Sequence, residues 1–207
     1  SVKLARPPMT AFHYSGGGVT VLQLALTDAI GRPYPDIIQG YVLGPVGMTR
    51  STFEQPLSPE KDKNATRGHD GKGNTMGAKW HVYPELAAAG LWTTPTDLAK
   101  FAIEVQKSIK GKANNVLSQA MVKEMLDPVG VGDYGVGFAV TKQGQGWYFG
   151  HGGDNWGFRC VLRAHKVKGY GFAIMTNARN GGVILDALEE RIERAYGYDS
   201  LDKSISR

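Results

Sequence analysis

The hydrophobic pattern of the chain changes its period near Pro128, and this change limits the folds that the chain can adopt. Upstream, apolar residues recur at the three- and four-residue spacing of helices, whereas downstream they alternate with the two-residue period of strands. Short links join the downstream segments, so neighbouring strands should be antiparallel. We predict four strands, over residues 134–141, 146–150, 157–165 and 169–177, and then an amphipathic helix over residues 183–196.

Length and composition are consistent with one domain or with one domain plus a subdomain. The chain has 207 residues, of which 42% are hydrophobic, and this is enough to bury one sizeable core. We therefore predict an α/β (α+β) fold with two regions. Residues 12–128 form a mainly helical and loop region, and residues 129–207 form an antiparallel sheet with a C-terminal helix.

The first predicted helix covers residues 19–30 and ends at Gly31. Thr20, Gln23 and Thr27 give it a narrow polar face, and its other residues are mostly apolar. A helix that is apolar over most of its surface is typically buried, so we expect this helix to lie largely inside the protein.

Four further segments complete the helical region. A short helix is predicted over residues 34–43, and residues 49–89 are predicted to be a long polar loop. Thr94 precedes Pro95 and Asp97 in the pattern of a capped helix start, and a last helix covers residues 118–126. The residues expected to face inward in the short helix are Ile37, Ile38, Tyr41 and Val42.

The C-terminal helix is expected to divide into an apolar and a charged face. The residues predicted to face the sheet are Leu185, Leu188, Ile192 and Ala195. The residues predicted to face water are Glu189, Glu190, Glu193 and Arg194.

Charge and cysteine content argue against several classes of function. The net charge is +5, but the basic residues are scattered among acidic ones, so no nucleic-acid partner is predicted. No stretch approaches the length of a membrane span. Cys160 is the only cysteine, and the five histidines lack metal-ligand spacing, so we predict neither a metal site nor a cofactor.

Residues 148–158 contain the most suggestive local sequence, in which His151 is followed by Gly152 and Gly153 and then by Asp154. Glycines allow another group to lie close to the backbone, and an imidazole beside such a backbone can move protons near neutral pH. The alternative is a glycine-rich hairpin with a structural histidine, and this stretch alone does not decide between them.

Three motif matches are rejected on their context. Residues 130–135 spell G-x-G-x-x-G, but they follow a helix and precede a strand, the reverse of a dinucleotide site. Ser58 and Ser200 each precede a lysine at the S-x-x-K spacing of a serine nucleophile. Ser58 is expected to act as a helix cap, and Ser200 is expected to lie in a frayed tail.

Three segments, in order along the chain, carry a resemblance to a known family. They are Phe12-His13-Tyr14-Ser15-Gly16-Gly17-Gly18, Ala89-Gly90-Leu91-Trp92-Thr93-Thr94-Pro95-Thr96-Asp97-Leu98 and Gly150-His151-Gly152-Gly153. Together they resemble the serine β-lactamase-related family, which includes class C β-lactamases, D-alanyl-D-alanine carboxypeptidases and related bacterial esterases. The resemblance covers essentially the whole chain and implies a β-lactamase/transpeptidase-like fold, incomplete at its N-terminus.

The resemblance implies catalytic roles for Tyr14, His151 and Asp154. Tyr14 matches the family's proton-transfer tyrosine, His151 begins the motif that borders the site, and the Asp154 N–H corresponds to half of the oxyanion hole. A positioned N–H of this kind stabilises the developing negative charge. Gly16, Gly152 and Gly153 are the implied substrate-binding residues. For Tyr14 the alternative is a buried core tyrosine whose hydroxyl is hydrogen-bonded.

The chain departs from the family pattern at two places. Gly16 stands where the family has an asparagine, which weakens the case for a β-lactam substrate and leaves other acyl substrates open. The family's Ser-x-x-Lys should lie well upstream of Tyr14, and only 13 residues precede Tyr14. The sequence therefore predicts the C-terminal portion of a serine acyl hydrolase, with half of the active site and no activity alone.

The resemblance also implies partners and a location. The expected partner is a small-molecule acyl substrate, with an ester, a D-amino-acid peptide or a β-lactam all possible. The missing N-terminal segment or a second copy of the chain is expected at an open sheet edge. The family implies a periplasmic or extracellular location. The competing hypothesis is a non-catalytic relative that binds cell-wall peptide or another protein.

Overall fold

The computed structural model describes Lys3 and residues 6–202. Its α-helices are α1 Gly16–Ile30, α2 Tyr34–Ile38, α3 Gly44–Val46, α4 Pro59–Asp62, α5 Leu86–Ala89, α6 Pro95–Ile109, α7 Gln119–Met125 and α8 Gly182–Tyr196. A π-helix, Gln39–Leu43, joins α2 to α3, and a 3₁₀-helix, Asp199–Leu201, follows α8. The strands are β1 Ala139–Gln143, β2 Gly146–Asn155, β3 Phe158–His165 and β4 Gly171–Thr176.

The four strands form one antiparallel sheet in the order β1-β2-β3-β4, which confirms the predicted sheet. Two boundaries differ from the prediction by five residues, and the others differ by at most two. Strand β1 begins at Ala139, because the residues before it form a turn in which the Gly135 N–H donates to the Phe138 carbonyl over 3.0 Å. Strand β2 continues to Asn155, well past the predicted end at residue 150.

Helices α6 and α7 pack on one face of the sheet and form the main core. Both begin as the sequence predicts, because the Thr94 hydroxyl accepts from the Asp97 N–H and the Ser118 hydroxyl accepts from the Met121 N–H. These caps satisfy backbone donors that a helix start leaves free. The buried residues of this core are Ala102, Val105, Ile109, Val122, Leu126, Phe138, Val140, Phe149, Leu162 and Ala164.

Helix α8 packs on the opposite face of the sheet, as predicted for a C-terminal helix. Leu185 is buried and Ile192 is half-buried, which confirms their predicted orientation. The prediction is wrong for Leu188 and Ala195, which are both exposed. The face that meets the sheet is therefore rotated from the apolar stripe read in the sequence.

Two glutamates lie on the face of α8 that meets the sheet, where only apolar residues were expected. Glu193 is buried and Glu189 is half-buried, although both were predicted to face water. Each pairs with the guanidinium of Arg163, a residue of β3 whose side chain projects toward α8. A charged group on the sheet thus selects the helix face, because burying an arginine requires an anionic partner.

Helix α1 forms where the sequence predicts it, but its predicted burial is wrong. None of its residues is fully buried, and Leu22 and Leu24 are 57% and 60% exposed. The face turned inward is instead the polar one, where Thr20, Gln23 and Thr27 are half-buried. The Gln23 amide bonds two backbone groups at the start of α5, which explains why a polar face packs there.

Two other expectations for the helical region have mixed outcomes. Ile37 is buried as predicted, whereas Tyr41 is 60% exposed because the π-helix changes the angular spacing of the residues after Gln39. Residues 49–89 have little regular structure, as expected, apart from the short helices α4 and α5. None of the helices in the described part of the chain has the length and apolar character needed to cross a bilayer.

The long loop is anchored to the end of β4. The His69 N–H donates to the Asn177 carbonyl over 2.9 Å, and the His69 carbonyl accepts from the Arg179 N–H over 2.9 Å. The Asn177 side chain donates to the Arg67 carbonyl over 3.1 Å. These bonds fix the loop beside the sheet although it contains few regular elements.

A buried carboxylate, Asp199, fixes the 3₁₀-helix against the sheet. Its oxygens accept hydrogen bonds from the hydroxyls of Tyr148 and Tyr170, and they lie 3.2 Å from His165 Nε2 and 2.6 Å from Lys168 Nζ. Burial alone would raise the pKa of Asp199, but bonds from Lys168 and the two tyrosines outweigh it and hold that pKa well below its ordinary value.

This network corrects the expectation of a frayed tail at Ser200. The Ser200 N–H donates to the Tyr148 hydroxyl over 3.1 Å, so the segment is hydrogen-bonded to the sheet. Lys203, the other member of that S-x-x-K match, lies outside the described residues.

Candidate functional site

Tyr14 lies in the segment that leads into α1. Ser15 caps this helix, because its hydroxyl accepts from the Gly18 N–H over 3.0 Å, and Gly16 is the first helical residue. The cap fixes the end of the helix and with it the backbone that carries Tyr14. The Tyr14 ring is 58% exposed, so the alternative of a buried core tyrosine is wrong.

The structure brings Tyr14 and His151 together although 137 positions separate them in the sequence. Their ring centroids are 5.9 Å apart, with an interplanar angle of 40°. His151 lies on β2, and its Nδ1 contacts the Gly152 carbonyl oxygen. A phenol and an imidazole therefore face one another at the surface, where both can meet a bound molecule.

Among the described residues, β3 is the only strand that pairs with β2 beyond Gly150. Strand β1 pairs with β2 as far as the Ala139–Gly150 pair, whereas β3 continues to pair as far as Asn155. The segment from His151 to Asn155 therefore presents a backbone edge that β1 leaves uncovered. The predicted site residues on β2 all fall within this edge segment.

The three predicted substrate-binding glycines have different surroundings. A Cβ added at Gly153 would lie 2.5 Å from the Cys160 Sγ on β3, so packing requires glycine there. A Cβ at Gly152 would meet nothing closer than 3.9 Å, and one at Gly16 would contact only Ala88 at 3.8 Å. At these two positions, glycine leaves space rather than relieving a clash.

The Asp154 side chain contacts Arg159 rather than the two rings. Its carboxylate lies 2.7 Å from the Arg159 guanidinium, directly across the β2–β3 ladder. Side chains alternate along a strand, so Asp154 points to the face opposite His151. Only the Asp154 backbone is in a position to serve the same surface as Tyr14 and His151.

Sequence reasoning missed two aromatic residues in the cluster, Phe12 and Tyr134. The Phe12 ring stacks on Tyr134 at 4.7 Å. The Tyr134 ring centroid lies 6.3 Å from those of both Tyr14 and His151. Tyr134 falls within the rejected glycine motif. The glycines of this motif predict a loop, but nothing in the motif indicates which rings Tyr134 contacts.

Asn155 was also missed, and it connects the edge segment to the helical region. Its side-chain amide donates to the Ala89 carbonyl over 3.0 Å. Ala89 ends α5, which is the helix that Gln23 of α1 also bonds. Hydrogen bonds therefore link the middle of α1, helix α5 and the end of β2, the elements that carry or adjoin Tyr14 and His151.

Ser58 lies at the start of α4 beside the Glu54 carboxylate, which accepts from the Ser58 N–H over 2.9 Å and is held in an ion pair with Lys61. The Ser58 hydroxyl caps α4 by accepting from the Lys61 N–H, as the sequence predicts. The Lys61 ammonium instead pairs with Glu54 and donates to the Thr52 hydroxyl over 3.1 Å. Within Lys3 and residues 6–202, no group of three or more His, Cys, Asp and Glu side chains is arranged to hold a metal ion.

Comparison with protein families gives a match over nearly the whole chain. A family described as Beta-lactamase matches residues 1–196. No match was found among curated protein sequences.

Several solved structures share the fold. One, described as the octameric penicillin-binding protein homologue from Pyrococcus abyssi, superposes with a TM-score of 0.77 at 22% identity and covers 95% of this chain and 45% of that one. SurE gives 0.76 at 25% identity, covering 98% and 48%. D-amino acid amidase from Ochrobactrum anthropi SV3 gives 0.71 at 20% identity, covering 92% and 63%. The chain thus spans about half to two-thirds of the length of these structures.

Proposed function

Because the chain belongs to the Beta-lactamase family, we propose that it is the C-terminal part of a serine acyl hydrolase. The observation that carries this proposal is the contact between the Tyr14 and His151 rings, at 5.9 Å, beside the uncovered edge of β2. The β-lactamase/transpeptidase-like fold, with its antiparallel sheet and C-terminal helix, supports it.

We assign proton transfer to Tyr14. Its exposed hydroxyl can reach a bound substrate, and a phenol near a proton-accepting imidazole can pass a proton between nucleophile and leaving group. His151 is assigned to orient or polarise this hydroxyl from β2. Gly16 and Gly152 leave the backbone open to substrate, whereas Gly153, whose missing side chain is explained by packing against Cys160, is assigned to substrate binding through its backbone.

The Asp154 N–H is assigned to the oxyanion hole, and the register of the hairpin supports this. A two-residue turn joins Asn155 to Phe158, which makes those residues a hydrogen-bonded pair. Bonded and non-bonded pairs alternate in an antiparallel ladder, so the next pair, Asp154 and Arg159, is non-bonded. The Asp154 N–H then points away from β3, toward the uncovered edge, where it can stabilise a developing oxyanion.

The nucleophile is proposed to come from a Ser-x-x-Lys segment outside residues 1–207. The structures that share the fold are longer than this chain. Ser58 already acts as a helix cap, and its lysine is paired with Glu54. Such a segment would supply the attacking hydroxyl. It would also supply the second N–H of the oxyanion hole, beside the Asp154 N–H.

The proposed substrate is a small acyl compound: an ester, a D-amino-acid amide or peptide, or a β-lactam. The presence of a D-amino acid amidase among the similar structures favours including D-amino-acid amides in any substrate panel. No cofactor is part of this proposal. A periplasmic or extracellular location remains a proposal drawn from the family.

The direct test is covalent labelling of the longer gene product. We expect a fluorophosphonate or penicillin probe to add its acyl or phosphonyl mass to one serine upstream of Tyr14. Changing that serine to alanine should abolish the mass increase, whereas Ser58→Ala should leave it intact. A longer product that has no reactive serine, yet binds cell-wall peptide, would replace this proposal with the non-catalytic alternative.

A further inference from the structure

Tyr134 contacts three aromatic rings that come from distant parts of the chain. Its ring stacks on Phe12 at 4.7 Å with an interplanar angle of 19°. It meets Tyr14 edge-on at 6.3 Å and 66°, and His151 edge-on at 6.3 Å and 83°. Edge-to-face and offset-stacked rings in this distance range attract one another.

The loop that carries Tyr134 is held firmly by its own hydrogen bonds. The Tyr134 carbonyl accepts from the Val129 N–H over 2.9 Å, and the Asp133 carbonyl accepts from the Val140 N–H over 2.6 Å. A Cβ at the neighbouring Gly135 would lie 2.2 Å from the Met125 carbonyl oxygen, so the loop also packs closely against the end of α7. The Tyr134 backbone is therefore fixed, and its half-buried ring lies beside the more exposed Tyr14.

Tyr14 needs a fixed neighbouring ring to hold its orientation, because it precedes the first turn of α1 and is 58% exposed. An exposed side chain samples several rotamers. In each rotamer that turns the Tyr14 ring away from His151, the two rings cannot act together. The Tyr134 ring contacts both Tyr14 and His151, so it favours the Tyr14 rotamer that faces His151. Fixed reacting groups raise the rate of a reaction by reducing the ordering needed at each turnover.

We propose that Tyr134 is a positioning residue that holds the Tyr14 and His151 rings in their mutual orientation. The proposal rests on the function proposed above for these two rings, but the placement of the rings can be tested without it. The ring of Tyr134, rather than its hydroxyl, makes the three contacts. Phenylalanine should therefore replace Tyr134, and leucine should not.

The first arm of the test uses the 207-residue chain and nuclear magnetic resonance. In the unsubstituted chain, we expect nuclear Overhauser contacts from the Tyr134 ring protons to ring protons of both Tyr14 and His151. We expect Tyr134→Phe to leave the ring-current shifts of His151 unchanged and Tyr134→Leu to remove them. Tyr41→Leu, at an exposed tyrosine on the π-helix, is the matched control and should change neither.

The resonances of the buried Val122 and Leu126 show whether each variant remains folded. If Tyr134→Leu does not fold, the Overhauser contacts of the unsubstituted chain still decide the question. Their absence, or His151 shifts that are the same in the phenylalanine and leucine variants, would overturn the positioning role.

The second arm measures kinetics in the longer, acylating protein. We expect Tyr134→Leu to lower kcat by roughly two- to thirteen-fold, the factor that corresponds to losing one favourable aromatic pair. KM should stay the same, and Tyr134→Phe should restore kcat. Unchanged kcat in a leucine variant of an active enzyme would overturn the role. Absence of acylation in every variant would count against the proposed function alone, since the first arm judges the placement of the rings separately.

Discussion

Two of the clusters that combine tyrosine with histidine in this molecule differ in almost every physical respect. In one, Tyr148 and His165 are nearly inaccessible and both hydrogen-bond the Asp199 carboxylate. In the other, Tyr14 and His151 meet through their rings at the surface. The buried cluster has its polar groups satisfied within the protein, so it is suited to holding structure. The exposed one lies where, in our proposal, the substrate binds.

The direction of the pKa shifts in the buried cluster supports this division. Burial, together with the Asp199 carboxylate, raises the pKa of Tyr148 far above the ordinary range of a phenol. Burial also lowers the pKa of His165, although Asp199 opposes that shift. A phenol that stays protonated and a histidine that stays neutral are poor proton shuttles near pH 7.

The largest expected effect is on turnover by the longer, acylating protein. We expect Tyr14→Phe to lower kcat/KM for a p-nitrophenyl ester by roughly 10²–10⁴-fold, the range for losing a general acid–base group. Its melting temperature should stay unchanged, because Tyr14 is mostly exposed. Tyr148→Phe is the matched variant and should give the reverse, with normal turnover and lower stability. Equal losses of turnover in both variants would erase the distinction between the clusters.

The second effect is on stability. Asp199→Ala should lower the free energy of unfolding by about 3–5 kcal/mol, the range for removing one partner of a buried charged pair. The cause is the loss of the acceptor for Tyr148, Tyr170 and His165. Urea unfolding followed by circular dichroism measures it, with Asp28→Ala on exposed α1 as the control. A change for Asp199→Ala no larger than that of the control would show that the network does not fix the 3₁₀-helix.

Acid should weaken the fold through the same network. The pKa of His165 is lowered in the folded state, so the unfolded chain takes up the proton first as pH falls below about 6.5. Stability should therefore fall below that pH, by at most about 1.4 kcal/mol per pH unit for one histidine. The contribution of Asp199, whose folded pKa is also lowered, is lost only below about pH 3.8. Urea midpoints at pH 7 and pH 5 should converge in His165→Gln, and an undiminished gap would contradict this assignment.

The smallest expected effect concerns self-association of the 207-residue chain. Val21, Leu22 and Leu24 expose apolar surface on α1, and such surface favours association. We expect light scattering to show dimers or larger species, and Leu22→Glu with Leu24→Glu should reduce them. Val167→Glu, at an exposed position in the β3–β4 turn, is the control. A monodisperse monomer at high concentration would show that this surface has no such role.

What the sequence predicts correctly depends mostly on local interactions. The Thr94 cap, the helical spacing of residues 118–126 and the alternation of the strands are readable over a few residues, and α6, α7 and the sheet follow from them. The inner face of α8 is predicted only in part, because the inward position of Glu189 and Glu193 depends on Arg163 of another element. The predicted burial of α1 is also wrong because of a distant contact, since the Gln23 side chain bonds partners more than 60 positions away.

The candidate site divides in a similar way. Tyr14 and His151 were identified through the resemblance of short motifs, and the structure places their rings together. Tyr134 and Asn155 stand in no such motif, and their partners lie far away in the sequence. The Asp199 network was missed because a carboxylate near the end of a chain gives no local signal that it will be buried.

The central claim is that the exposed cluster works on substrate only with a nucleophile from outside residues 1–207. Its most direct test is hydrolysis of a short-chain p-nitrophenyl ester and a chromogenic β-lactam by the 207-residue chain alone. We expect no turnover above background, because positioned donors and a proton-transfer group stabilise charge only after a nucleophile attacks. Robust hydrolysis by this chain, abolished by Ser58→Ala or Ser200→Ala, would contradict the claim and identify the nucleophile within it.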